Sequence, residues 1–205
     1  MGINFKEFLY NLTGRLYIPE ELLESAEKRL LHVSDTPVSF YSDLKRLVEA
    51  LKPDYIVHTG DLSDNIKLQL YPNEIYEHEK WIKRLAGILE TSGAEVILAL
   101  GNHDDAETVQ RHFIRSRIIK GAETVEVSEK SFRISHMPEG ILEQPAGYNL
   151  FGHDLTLKSG SRDNKQYFNG ISYINIIGLE SGECTCLCYP AGTDDARLGR
   201  HKLGL

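Results

Sequence analysis

The chain has 205 residues, 41% apolar and 26% charged, with a formal net charge of −7, which suits one soluble domain with a substantial core. The acidic balance disfavours an extended nucleic-acid-binding surface, and an anionic ligand needs a metal or a few placed cations to offset it. Apolar runs such as Val96-Ile97-Leu98-Ala99-Leu100 fall well short of the roughly 20 residues of a membrane span, and the opening Met1 to Glu7 has neither signal-peptide order nor a Ser or Thr at position 6 for myristoylation, so a cytoplasmic location without a membrane partner is expected.

In chain order, Pro19 to Arg29 reads as a helix, with Pro at its start and Leu22, Leu23, Ala26 and Leu30 at helical spacing. This helix is expected to end an N-terminal helical extension of about residues 1–29, within one domain that spans 1–205. Leu30 to Ser34 reads as a buried strand. Ser42 is placed to cap a helix through Leu51, in which Leu44, Leu47, Val48 and Leu51 form one apolar stripe. Pro53 stops it, and Tyr55 to His58 is the next strand. A longer helix is expected from about Asn73 to Glu90, with Ile75, Trp81, Ile82, Leu85 and Ile88 inward, and Val96 to Leu100 is the third strand. This βαβαβ run predicts a parallel sheet with right-handed crossovers.

The second half changes character. One short helix, Ala106 to Ile114, is expected, followed by short strands at Thr124 to Val127, Phe132 to Ser135, Tyr148 to Phe151, Ile171 to Ile177 and Cys184 to Tyr189. Gly178 to Gly182 reads as a turn, Lys158 to Lys165 as a mobile loop, and Ala191 to Leu205 as a loose polar tail.

Three strands end in metal-liganding residue types: Ser34-Asp35-Thr36-Pro37, Gly60-Asp61-Leu62-Ser63-Asp64 and Gly101-Asn102-His103-Asp104. His136 and Gly152-His153-Asp154 follow later strands. Ligands bind outside the carboxyl ends of strands in open α/β sheets, so motif and topology point to one place. Carboxylate, amide and imidazole together suit Mn, Fe or Zn rather than Ca. His32 and His58, inside strands, read as packed histidines. His78 and His112, on helices, read as solvent-facing, and His201 in the tail as inert. Arg111, Arg115, Arg117 and Lys120 form a basic cluster that either holds a substrate's distal phosphate, with Arg111 and Arg115 foremost, or is a solvated helix face. Cys184, Cys186 and Cys188 alternate along one strand face; without a second cysteine pair to close a tetrahedral site, burial as small thiols is favoured over a metal or redox role.

The order and spacing of these motifs resemble the calcineurin-like metallophosphoesterase family, and the size resembles its small bacterial branch. Asp61 follows Asp35 by 26 residues, Asn102 comes 41 later, and His136 and His153 come 34 and 17 after that. The resemblance implies an α/β fold, a four-layer αββα sandwich of two mixed sheets flanked by helices. It implies hydrolysis of a phosphomonoester or phosphodiester by a metal-bound hydroxide, with a phosphorylated small molecule as substrate. It implies that Asp61 bridges two divalent ions, that Asn102, His136 and His153 complete one of them, and that Asp35 serves the other. His103 would face the leaving group, Asp104 would orient His103, and Asp64 would brace the loop. The sequence departs from the family pattern twice: Pro37 and Leu155 stand where that pattern has histidines, both belonging to the second ion. One site therefore keeps its full set, the other keeps only Asp35 and Asp61, and a degenerate, non-catalytic protein that binds one metal or a phosphorylated ligand is the alternative reading.

Overall fold

The structure, a computed structural model, describes residue 10 and residues 13–198. The remainder of the expected N-terminal extension, and the tail from 199 on with His201, lie outside the described residues. Two mixed sheets form the core. The first, six-stranded sheet has the order β11-β10-β1-β2-β3-β4, and the second, five-stranded sheet has the order β5-β6-β7-β9-β8.

In the first sheet, β1 (Arg29–Val33), β2 (Tyr55–His58), β3 (Glu95–Ala99) and β4 (Arg117–Ile119) run parallel. β10 (Ile174–Gly178) joins β1 antiparallel, and β11 (Cys184–Leu187) lies at the edge. Helices α2 (Tyr41–Leu51), α3 (Ile75–Leu89) and α4 (Ala106–His112) make the crossovers. Strand alternation divides β1 between two cores: Leu31 and Val33 pack with Leu44, Leu47, Ile82 and Leu85 of these helices, while Leu30 packs between the sheets. The facing sheet supplies Phe132, Ile134, Leu150 and Phe168 to that second core. These residues come from β6 (Lys130–Ser135), β7 (Tyr148–Phe151) and β9 (Lys165–Asn169), with β5 (Ala122–Val127) and β8 (Gly160–Arg162) at the margins. The outer face of the second sheet is covered by α5 (Pro138–Glu143), whose Ile141 packs with Phe151, Leu157 and Tyr167. The result is the expected αββα sandwich. Among the described residues no helix is long and apolar enough to cross a membrane.

Several expectations are corrected. The helix expected over Pro19 to Arg29 is only α1, Glu20–Glu24; Arg29 belongs to β1, and its guanidinium turns back to the carbonyls of Leu22 and Ser25. Ser42 is not a cap: α2 follows a short 3₁₀ turn (Val38–Phe40), and the residue before it, Phe40, offers no side-chain acceptor. Lys158 to Lys165 is not a loose loop but β8 and the turn of the β8–β9 hairpin, closed by Asp163 and Asn164 with φ of 50° and 58°, the conformation a two-residue hairpin turn needs. The tail contains α6 (Thr193–Arg197), whose Arg197 is buried. Cys186 and Cys188 are exposed and Cys184 is half-buried, because β11 is an edge strand with one open face.

Candidate metal centre

All five candidate ligands sit just beyond strand ends: Asp35 after β1, Asp61 after β2, Asn102 after β3, His136 after β6 and His153 after β7. The two sheets thereby bring their carboxyl edges to one point. Three of these residues are held in the left-handed region, with φ of 49° at Asp35, 52° at Asp61 and 70° at His153. That conformation is uncommon outside glycine and tends to collect at functional sites. The glycines beside them leave no room for a side chain: a Cβ on Gly101 would collide with the Asp61 carboxylate, and one on Gly152 with Ser34 Oγ and the Asp35 carboxylate.

His136 is the hub. Its Nδ1 lies 2.7 Å from the Thr59 carbonyl, which can only accept, so Nδ1 carries a proton and donates, and Nε2 is turned into the site. Nε2 faces Asn102 Oδ1 at 3.1 Å, His153 Nδ1 at 3.2 Å and Asp61 Oδ2 at 3.7 Å. The Asn102 amide is fixed by Nδ2 donating to Gln69 Oε1 at 2.8 Å, so it is oxygen that points at His136. With a single ring proton, on Nδ1, the His136 Nε2 and the Asn102 Oδ1 are two acceptors turned toward each other, an arrangement that a cation relieves. One ligand atom from each of Asp35, Asp61 and His136 lies within 4.8 Å of the others, and all three are buried.

The electrostatics agree. Burial pushes the Asp61 carboxyl well above its usual range, and the charges of Asp104, Asp35 and Asp64 push it further. The site is short of positive charge, and its mixed oxygen and imidazole donors suit a divalent ion of the Mn, Fe or Zn kind. Lys67 brings one cation to this region: its ammonium pairs with Asp64, while burial raises Asp64 to about 6.

His103 donates its backbone N–H to Asp61 Oδ1 at 3.0 Å. Its Nδ1 is buried and has no hydrogen-bond partner. Desolvation lowers its pKa to about 4, with Lys67, His136 and His153 adding to the shift. The role expected of Asp104 is corrected: its carboxylate does not orient His103 but accepts the backbone N–H groups of Asp61, Leu62 and Gly101 at 2.9, 2.8 and 2.8 Å. It clamps the β2 and β3 loops together. Asp64 braces its loop through its N–H to the Thr36 carbonyl at 3.0 Å.

The structure does not bring the basic cluster to this point as a group. Arg111 pairs with Glu79 at 2.6 Å and Arg117 with Glu123 at 2.5 Å, while Arg115 lines a shallow surface dent with Glu90 and Val96, at the amino end of β3. His32 and His58 are packed, as their strand positions suggest. His78 is not solvent-facing: it is buried, with Nδ1 2.8 Å from Ser63 Oγ. His112 is half-buried against Glu79. Sequence reasoning missed Gln69, Lys67 and Arg197, which lie outside any motif. Arg197 donates to the Asp35 and Ser34 carbonyls at 2.7 and 3.1 Å and lies over the Tyr189 ring.

A sequence model of the calcineurin-like phosphoesterase family matches residues 28–200. Among curated proteins, the chain is 26% identical over 163 residues to "Probable inactive purple acid phosphatase 29" of Arabidopsis thaliana, covering 80% of this chain and 36% of that protein. The chain thus spans about a third of the length of that relative. Among solved structures, a novel archaeal phosphodiesterase superposes with a TM-score of 0.58 at 17% identity, over 78% of this chain and 99% of that one. Yfce, a phosphoesterase from E. coli, superposes with a TM-score of 0.50 at 16% identity, over 78% and 98%. Since the family match runs through most of its length, this chain belongs to the calcineurin-like phosphoesterase family.

Proposed function

We propose that the chain hydrolyses a phosphomonoester or phosphodiester with the help of a divalent ion, manganese being the first to try. The observation that carries this reading is the facing pair of acceptors, His136 Nε2 and Asn102 Oδ1, with Asp61 and His153 beside them. Those four residues would hold the ion. When bound, it would supply Lewis-acid charge to a phosphoryl oxygen and lower the pKa of a water molecule. The chain's own residues would do the rest. His103, with a buried and unpartnered Nδ1, would meet a phosphoryl or leaving-group oxygen. Lys67 would add a fixed positive charge for the phosphate, Gln69 would hold the Asn102 oxygen inward, and Asp104 would fix the spacing of the Asp61 and Asn102 loops.

A second reading, binding of one metal or a phosphorylated ligand without turnover, draws support from Pro37 and Leu155 and from the relative named as inactive. The discriminating experiment is turnover of bis-p-nitrophenyl phosphate and p-nitrophenyl phosphate across a series of Mn, Fe and Zn. Metal-dependent release of nitrophenol that disappears in His136→Ala is the expected result. Metal bound in equal amount by wild type and His136→Ala overturns the ligand assignment, and bound metal with no turnover selects the second reading.

A further inference from the structure

Beside the metal centre lies a cavity of about 620 Å³ lined by Leu155, Lys158, Ile171, Tyr173, Arg197 and Leu198, among others. Two of these residues tie it to the site. Leu155 is two positions beyond His153, whose N–H is bonded to the Asp35 carboxylate at 3.1 Å. Arg197 is buried, and its Nε donates to the Asp35 carbonyl. Three of its other four N–H groups go to the carbonyls of Ser34 and Ile171 and to Asp194 Oδ1, so Arg197 forms a rigid wall and not a free anion clamp.

The rest of the lining has a different chemistry. Leu155, Tyr173 and Leu198 are 61%, 41% and 63% exposed, three large apolar side chains turned to solvent around one concavity. Single exposed apolar residues are ordinary, but several converging on a pocket beside polar catalytic groups mark a ligand site. Lys158, also exposed, contributes the one cation of the lining that no described ion pair uses.

The geometry points to this cavity as the seat of the alcohol part of the substrate, and assigns the substrate class as phosphoesters with a bulky apolar or aromatic alcohol. This rests on the phosphoester reading above. With the phosphate at the Asp61–His136 cluster, the organic group would lie against Leu155 and Tyr173, and Lys158 would meet a further anionic oxygen on it. Leu155, in place of a metal-liganding histidine, becomes an apolar wall.

Calorimetric titration of Mn-loaded protein with phenylphosphonate and with methylphosphonate separates the parts, because neither can be hydrolysed. Wild type is expected to bind phenylphosphonate at least tenfold more tightly than methylphosphonate. Leu155→Ala and Tyr173→Ala are expected to reduce that ratio severalfold while metal content stays the same. Equal binding of the two phosphonates by wild type, no binding of either, or an unchanged ratio in both variants overturns the assignment. The two readings fail separately: turnover of nitrophenyl esters without phenyl selectivity removes the cavity alone, and phenyl selectivity without turnover at any metal removes hydrolysis alone.

Discussion

At the scale of single residues, the site is a set of acceptors held in place by donors that the motifs do not reveal. Gln69 is exposed, yet it decides which end of the Asn102 amide faces His136. Outer partners of this kind typically change metal affinity by about 10–100-fold. Gln69→Leu should therefore weaken Mn binding by that order while leaving the circular dichroism spectrum intact, and Gln69→Glu, which keeps the acceptor, should recover most of the loss. Unchanged Mn affinity in Gln69→Leu would show that Asn102 orients itself. His103 makes a complementary case. Its side chain is not among the atoms that face His136 Nε2, so His103→Ala should keep its metal and lose turnover, by about 10²–10⁴-fold if it acts as a positioned acid or base. The neutral state that burial and Lys67 impose near pH 7 means that a donating role depends on Nδ1–H of the neutral ring or on proton capture beside a bound phosphate. Wild-type turnover on a poor leaving group would exclude His103 from the chemistry.

At the scale of elements, what was legible followed from periodicity and from strand ends. β2 and β7 fall at the expected residues, and β1, β3, α2 and α3 within one or two of them, because each is bounded by turn residues and carries a clear apolar pattern. The five candidate ligand positions were readable because each stands just after such a strand. The pieces that escaped are short, polar or held by distant partners. β8 is exposed throughout, so its composition looks like a loop, although Asp163-Asn164 is a hairpin signal. β4 is three residues inside a basic run. α6 is fixed by Arg197 reaching Asp35, a contact between residues 162 positions apart. The burial of His78 depends on Ser63, which no helical period discloses. The role of Asp104 was hidden for the same reason, since nothing local shows that a carboxylate in the β3 loop will collect N–H groups from the β2 loop. Asp104→Ala would strand three N–H donors of which two belong to the neighbouring element. Leaving buried donors unpaired costs about 1–3 kcal/mol each, so the variant should melt several degrees lower and lose metal as the two loops drift apart. Asp104→Asn, which keeps one acceptor, should fall between. Melting and metal content equal to wild type in Asp104→Ala would remove the clamp.

At the scale of the whole molecule, the packing of histidines between and behind the sheets gives the fold a pH dependence separate from its chemistry. His32 is buried with Nε2 3.0 Å from Thr59 Oγ1 and Nδ1 3.1 Å from Asn175 Nδ2, and His58 with Nε2 2.8 Å from Thr36 Oγ1 and Nδ1 accepting from Gly60 N. Burial lowers both to about 3, and lowers His78 to about 4. In the unfolded chain each would take a proton near pH 6.5. The folded values lie below the unfolded ones, so the unfolded state binds more protons between those limits. The stability these groups give is complete above pH 6.5 and is lost as pH falls. Asp64 and Asp104 oppose this, because burial raises them to about 6 and the folded state then holds protons that the unfolded state has released. Asp61, pushed well above the usual carboxylate range, opposes it further, so the histidine contribution is read from the difference between wild type and a histidine variant. At pH 6 each buried histidine costs roughly 0.8 kcal/mol relative to alkaline pH, a figure that depends only on the unfolded value. Removing one buried histidine from chelator-treated protein should therefore remove about 0.8 kcal/mol of loss between pH 8 and 6 relative to wild type, a difference readable in the melting temperature. His32→Gln, which can still donate to Thr59 or accept from Asn175, should be less stable at pH 8 but should show a shallower fall toward pH 6. Parallel melting curves for wild type and His32→Gln across that range would mean that His32 is not the neutral, buried group that its hydrogen bonds describe.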